Sequence, residues 1–335
     1  MFDPATTDWT IYKLVVASQS WQNTGVKADT RNKSHADVLS DGNKLYIAFS
    51  NDNTAAQAIQ VYRFTYNTTS KAYTSGGTPA TTTALGVSFA SMAKDATGKL
   101  FIAYASDNKV QYMTSSDGAT WSAPAQVPTS PSNAPTAGAP GATKESDDVA
   151  ALTHVGNGVG VMWSRTSSDT RIDGGFYFSV FGTTGWSAAA PAWAGNWVGD
   201  NHVSLKTAAD GRVIAAVKSS LGSGGGGPSS APLIAVLERS VAGTWSTPRN
   251  VSSVAQEGTR PMLVLDEGAK QANVFLTNPA DPTMPTQGGD INRRTAPLDT
   301  LNFGTPSLGS AYIKSSANPG INDATSTKQG LNDAS

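Results

Sequence analysis

Residues 91–124 of this chain read SMAKDATGKLFIAYASDNKVQYMTSSDGATWSAP, and the same pattern recurs at least five times along the sequence. An apolar run leads into an Asp/Gly turn, and a longer apolar run, an alternating run, a tight turn and often a Trp-Ser-x-Pro stretch follow. Four short strands per copy are typical of a β-propeller blade. Because one blade cannot bury both of its faces alone, the copies must stack around an axis. The repeat therefore predicts an all-β propeller.

The expected architecture is a six-bladed β-propeller of four-stranded antiparallel blades, forming a single domain over residues 1–335. Five blades open with the clear copies, near His35, Ser88, Asp147, Asp200 and Arg260. The sixth is expected to combine residues 321–328 as an inner strand with residues 9–16 as an outer strand. Pairing the two termini would close the ring and leave no open sheet edge. Seven blades are the alternative, if residues 18–26 join another strand.

The composition excludes several classes of function. With a net charge of −1, the chain lacks the broad basic field that would hold nucleic acid. It has no cysteine, which excludes disulfides, thiol catalysis and zinc–thiolate sites. No apolar stretch approaches the roughly 18 residues of a membrane span, so membrane insertion is not expected. Charged residues are only 15%, and small polar residues take their place, which suggests an extracellular, particle-surface or cell-surface protein.

The connections between predicted strands differ in length on the two ends of the blades. Turns between first and second strands are uniformly short. The long connections all join a second strand to a third or one blade to the next, at 51–58, 128–146, 166–175, 219–232 and 278–289. Neutral drift in exposed loops would lengthen both ends equally. The asymmetry therefore predicts a binding face at the long-loop end, because variable loops on a rigid scaffold commonly carry binding sites.

Charged, imidazole and indole side chains concentrate at the same end, mostly where inner strands begin. The candidate ligand-binding residues are His35, Asp37, Asp147, Asp148, Trp197, Asp200, His202, Lys206, Lys218 and Arg260. Acids, bases and imidazoles that converge on one concave surface indicate a functional site. The alternative is a wet axial channel whose polar groups pair with one another, as Asp200 would with Lys206. For Trp197, stacking on a sugar ring and packing between blades are both open.

One tight turn resembles a known structural device. Residues 115–121, Ser-Ser-Asp-Gly-Ala-Thr-Trp, resemble the Asp-box of sialidase-like propellers, shortened by one residue. There Asp117 is expected to cap its own turn and Trp121 to anchor it between strands, a structural role. Residues 200–206, 259–261 and 323–329 look like a group of uncharacterised bacterial secreted propellers. That resemblance implies an extracellular or surface role and supplies no established reaction.

Three functions stay open at this point. The first is a binding propeller for carbohydrate or another surface ligand; sialidase activity is not expected, because its arginine triad is missing. The second is a glycoside hydrolase using paired carboxylates, Asp37 with Asp148 or Asp200, or a polysaccharide lyase with His202 or Lys206 as base and Arg260 on a uronate. The third is a structural or adhesive subunit that contacts surface proteins or self-associates. No cofactor is expected, beyond a channel ion such as calcium.

Overall fold

A computed structural model describes residues 2–3, 8–18, 20–31, 34–51, 58–106, 109–128, 149–165, 174–222, 227–278 and 289–314. This part of the chain forms 25 β-strands and two short 3-10 helices, Val16–Ser18 and Val254–Gln256, with no α-helix among the described residues. The prediction of an all-β chain is confirmed. The chain divides into two compact units, Met1–Tyr104 with Gln111–Ala125 and Ala105–Val110 with Gln126–Ser335. The expectation of one domain over 1–335 stays a prediction.

The first unit contains sheets A and B and most of sheet C. Sheet A consists of β1 (Phe2–Asp3), β2 (Asp8–Val15) and β3 (Ser20–Asp29), in that order. Sheet B consists of β4 (His35–Asp41), β5 (Lys44–Ser50), β6 (Ala58–Asn67) and β7 (Ala72–Ser75), with β8 (Ala80–Leu85) also beside β6. Sheet C consists of β9 (Ala90–Lys94), β10 (Leu100–Ser106), β11 (Lys109–Ser115) and β12 (Ala125–Gln126).

The second unit contains sheets D, E and F. Sheet D consists of β13 (Ala150–Val155), β14 (Gly158–Arg165), β15 (Gly175–Gly182) and β16 (Gly185–Trp186), with β17 (Ala190–Ala194) also beside β15. Sheet E consists of β18 (Val203–Thr207), β19 (Val213–Lys218), β20 (Pro232–Arg239) and β21 (Arg249–Ser253). Sheet F consists of β22 (Thr259–Asp266), β23 (Gln271–Thr277), β24 (Ile291–Pro297) and β25 (Ser310–Ile313).

Sheets B to F correspond to the five copies of the sequence repeat, and their antiparallel strands are consistent with a β-propeller. Sheet A departs from the expected composite blade, because β2 is its central strand, paired with β1 on one side and β3 on the other. The segment 18–26 of the seven-blade alternative falls largely within β3, which pairs with β2. Residues 321–328 lie outside the described residues, so a count of six blades stays a prediction.

The second strand in each of sheets B to F is largely buried on both faces. In β5, Ile47 and Phe49 belong to a core shared with sheet A, while Tyr46 and Ala48 belong to a core shared with sheet C. The same alternation recurs in the second unit, where every residue of β14 is buried. Successive side chains of a strand point to opposite faces, so one strand supplies both cores. This explains why second strands read as continuous apolar runs rather than alternating ones.

The turn at residues 115–121 has the expected local structure. Asp117 Oδ1 accepts hydrogen bonds from the backbone N–H of Ala119 and Thr120, at 2.7 and 2.8 Å, and from the Ser115 hydroxyl at 3.0 Å. Those bonds lower the pKa of the Asp117 carboxyl, the Thr120 and Ala119 amides most. Trp121 packs against the core between sheets B and C. The capping and anchoring roles are confirmed, whereas membership of the sialidase-like superfamily stays a prediction.

The close pairing of β14 and β15 leads to a testable contrast between two glycines. A Cβ at Gly158 would lie 1.8 Å from the Phe181 carbonyl oxygen, whereas a Cβ at Gly182 would meet nothing within 4 Å. We expect Gly158→Ala to lower the free energy of unfolding by roughly 1–3 kcal/mol and Gly182→Ala to change it by less than about 0.5 kcal/mol. Denaturant unfolding of both variants measures the difference, and equal effects would contradict the predicted clash.

Candidate functional site

A buried carboxylate organises the long-loop end of sheet E. Asp200 lies just before β18 and is only 7% exposed. Its Oδ1 is 2.5 Å from Nδ1 of His202, and its Oδ2 accepts a hydrogen bond from Nζ of Lys218 at 2.6 Å and a longer one from the Ser220 hydroxyl at 3.4 Å. We call these four residues the Asp200 cluster. It joins the start of β18 to the end of β19, and three of its members were predicted from the sequence.

Charge compensation keeps Asp200 ionised. Burial is the largest influence and on its own would raise the pKa of the carboxyl. The hydrogen bond from His202, the charges of Lys218 and His202, and the hydrogen bond from Lys218 together outweigh burial, so the pKa lies below its ordinary value. With an ionised carboxylate as its partner, Nδ1 of His202 carries a proton. Nε2 is then the ring nitrogen left for a ligand, and the His202 side chain is 25% exposed.

Close backbone contacts hold the loop that carries Asp200. A Cβ at Gly199 would lie 1.7 Å from the carbonyl oxygen of Arg165, at the end of β14, so only glycine permits this approach. The Ser220 hydroxyl donates to the Gly199 carbonyl at 2.7 Å, and the Ser220 N–H donates to the Trp197 carbonyl at 2.9 Å. Ser220 therefore connects the entering loop to the end of β19. Sequence reasoning missed Ser220, because an isolated serine after a strand carries no signal.

Trp197 has a strained backbone within this loop. Its φ is 60°, in the left-handed region, and it is the third residue of a turn in which the Val198 N–H donates to the Gly195 carbonyl at 3.3 Å. Positive φ is uncommon outside glycine and is an outlier for a bulky residue. The Trp197 side chain is half-buried. The Trp197 carbonyl accepts the Ser220 N–H, which places the backbone of residue 197 next to the Asp200 cluster.

Arg260 resembles Trp197 in having a positive φ and in lying at the long-loop end of its sheet. Its φ is 52°, and the register of β22 against β23 shifts between Thr259 and Met262. Sheets E and F are joined at their inner strands, where the Leu263 N–H donates to the Ser204 hydroxyl at 3.0 Å. Arg260 precedes Leu263 much as His202 precedes Ser204. The arginine is therefore at the same end of its sheet as the Asp200 cluster.

Lys206 has a different environment from the expected one. It is buried within β18, opposite Ile214 of β19. The ammonium group that pairs with Asp200 is that of Lys218, so the suggested Asp200–Lys206 pair is wrong. The reason is the strand register. The Lys218 N–H donates to the His202 carbonyl at 3.2 Å, and this places Lys218 at the same strand end as His202 and Asp200. Lys206 instead lies four residues beyond His202 along the inner strand.

The remaining candidates lie elsewhere. In the first unit, the His35 ring is 4.5 Å from the ring of Phe89, which is 40% exposed, and Asp37 Oδ2 accepts the Met92 N–H at 2.5 Å. Asp37 thus links sheet B to sheet C. Phe89 was not predicted. The signal that could have identified it is an aromatic residue directly before an inner strand. Asp147 and Asp148 lie outside the described residues.

Two further findings concern the described residues only. They contain no group of three or more histidine, aspartate or glutamate side chains placed to hold a metal ion, so the calcium expectation gains no site there. Within the same ranges, no helix is both long enough and apolar enough to span a bilayer.

Comparisons with known proteins give similarity of fold and no family. No protein-family model and no curated protein matches the chain. A structure of a protein of unknown function from Dyadobacter fermentans DSM 18053 is similar, with a TM-score of 0.54 and 13% identity over 82% of each chain. At that identity the similarity shows a shared fold alone.

Glycoside hydrolases are found at lower similarity. A thermostable family-43 glycoside hydrolase has a TM-score of 0.44 and 11% identity, covering 84% of this chain and 96% of its own. An arabinanase of Bacillus subtilis has a TM-score of 0.42 and 13% identity, covering 68% of this chain and 80% of its own. With TM-scores below 0.5, these similarities carry no argument about this protein.

The ionised state of Asp200 predicts how stability depends on pH. Because its pKa is lowered on folding, the bonds of the cluster stabilise the protein above the unfolded value of about 3.9. That contribution is lost as the pH falls through the lower folded value. We expect Asp200→Asn to cost about 3 kcal/mol at pH 7, and the gap to the parent chain to shrink below about pH 4.

Denaturant unfolding over a pH series measures this gap. Asp299→Asn is the matched control, because Asp299 is exposed and lies in the same unit. A gap for Asp200→Asn that stays constant into the acid range, or one no larger than that of the control, would contradict the assignment.

Proposed function

We propose that this chain is a glycan-binding protein whose ligand lies at the long-loop end of sheet E, on the Asp200 cluster with Trp197 and Arg260. The observation that carries the proposal is the positive φ of Trp197 beside a buried, ion-paired carboxylate. Strained backbone of this kind persists only where the surroundings enforce it, and it concentrates at binding sites. An ion pair that served stability alone would have no need of a strained tryptophan next to it.

The chemistry of the residues suits a neutral polyol. Asp200 is already paired with two cationic or potentially cationic groups, so its charge is largely balanced within the cluster. In this proposal the ligand meets the Nε2 side of His202, the half-buried indole of Trp197 and the side chain of Arg260. A sugar offers hydroxyl groups for the imidazole and an apolar ring face for the indole, which is both large and rigid. An acidic sugar would add a carboxylate for Arg260.

Cleavage of the bound glycan is a second candidate function, and the bond between Asp200 and His202 favours it. A carboxylate that holds Nδ1 fixes the tautomer and orients the ring, so that Nε2 can act as a general base. The lowered pKa of Asp200 makes this residue unsuited to the general acid of a hydrolase. The arrangement therefore supports elimination from a uronate whose carboxylate is held by Arg260. His202 takes the proton from C5, a C4–C5 double bond forms, and the C4–O bond breaks as water protonates the leaving oxygen.

Binding of a glycan array by the purified chain tests the proposal. Trp197→Gly relieves the backbone strain, because glycine adopts positive φ without cost, so stability should change little while binding is lost. His202→Ala and Arg260→Ala should each weaken binding at least about tenfold, the loss expected for a hydrogen bond involving a charged or strongly polar group. Arg293→Ala is the control, because Arg293 is an exposed arginine of β24.

The outcomes separate the candidates. Binding that depends on Trp197, His202 and Arg260 supports the proposed site, and formation of an unsaturated product from the bound glycan supports cleavage. Variants that lose only stability would identify the cluster as structural. No binding to any glycan, together with self-association at low concentration or capture of a surface protein, would favour the adhesive function. We propose an extracellular or surface location for the protein, which is compatible with glycan binding, with glycan cleavage and with the adhesive function.

A further inference from the structure

The opposite end of the second unit contains a cavity that the sequence did not indicate. Its volume is about 360 Å³, and it lies between the first hairpin turns of sheets D, E and F. Its lining includes His154, Thr207, Ala209, Gly211 and Glu267. These turns were predicted to be short, and the binding face was predicted at the other end of the blades. A cavity of this size is within the range of small-molecule sites, roughly 300–1,000 Å³.

Glu267 is fixed in the wall of this cavity. Its Oε1 accepts a hydrogen bond from the Ala209 N–H at 2.7 Å, which connects the turn of sheet F to the turn of sheet E. Within the described residues, Oε2 accepts no hydrogen bond and the carboxylate forms no ion pair. A carboxylate held at one oxygen and open at the other is oriented toward the cavity without being neutralised.

His154 supplies a second open group. Its ring forms no hydrogen bond or ion pair among the described residues, although the residue lines the cavity. The residue is exposed at the end of β13, and partial desolvation of its ring lowers the pKa of the imidazole, so at neutral pH the ring is uncharged and offers one acceptor nitrogen. The Thr207 hydroxyl is not available in the same way, because it bonds to the His154 carbonyl and lies 2.9 Å from the Thr153 hydroxyl.

We propose that this cavity binds a small ligand through a primary ammonium group, ion-paired with Glu267 and hydrogen-bonded to His154. Among the described residues of the lining, Glu267 has the one charged side chain, so the cavity favours a cation and disfavours an anion. A primary ammonium has three donors, which match a carboxylate oxygen and an imidazole nitrogen and leave one for water. A metal ion is a poorer match, because two side-chain ligands are too few to replace its hydration shell. The ammonium group could belong to an amino sugar or to a polyamine.

The three histidines of the chain make the test specific. Each ring can be followed by NMR at constant pH, with His154 at this cavity and His202 in the Asp200 cluster. Glucosamine, putrescine and the uncharged N-acetylglucosamine are titrated into the full chain. We expect the His154 resonances to shift with glucosamine, with putrescine or with both, and to stay unchanged with N-acetylglucosamine. A shift with only one amine identifies the source, amino sugar or polyamine.

A pair of variants isolates the charge. Glu267→Gln keeps an oxygen for the Ala209 N–H and removes the charge, so amine affinity should fall at least about tenfold. Asp299→Asn, an exposed acid away from the cavity, should leave the affinity unchanged. No His154 shift with either amine, an equal shift with N-acetylglucosamine, or equal losses in the two variants would overturn the proposal. Because His202 reports the other site separately, neither result depends on whether glycans bind there.

Discussion

The two-sided burial of the second strand in sheets B to F is the constraint on which the other features of the fold depend. In β19, Val213, Ala215 and Val217 belong to the core between sheets D and E, while Ile214 and Ala216 belong to the core between sheets E and F. Neither core can form without the neighbouring sheet, so an isolated copy of the repeat would expose half of this strand. The glycine at position 158 meets a separate constraint within sheet D, because a Cβ there would collide with the Phe181 carbonyl of the paired strand β15.

This constraint also decides where polar chemistry can lie. A charged side chain in the middle of a second strand would be buried in a core, at high cost. Strand ends and the connections between them are therefore the positions left for function. Asp200 follows this rule at the long-loop end, where Lys218, His202 and Ser220 offset its burial. The loop before it is accommodated because Gly199 lies directly against a backbone carbonyl of sheet D.

The sequence was sufficient for the repeating strands and for local turn chemistry, because both depend on neighbours along the chain. Apolar runs predicted β10 and β14, and the capping role of Asp117 followed from the residues next to it. Strand register lies beyond such reasoning. Period two placed Lys206 near His202, yet the pairing of Val203 with Val217 brings Lys218 to Asp200 instead. The cavity at the short-turn end was missed for a related reason, since a short turn reveals nothing about the space it encloses with turns from other sheets.

The two ends of the second unit differ in the groups that surround their carboxylate. Asp200 is surrounded by groups that compensate its charge, so a ligand there gains little from carrying a cation and meets mainly imidazole, indole and guanidinium groups. Glu267 has one oxygen bound to a backbone amide and no compensating cation among the described residues. A ligand that supplies the missing charge is favoured at this second position, whereas a neutral sugar has nothing to offer an unpaired carboxylate that water does not. The same residue type therefore favours different ligands at the two ends, because its partners rather than its own chemistry determine the local charge.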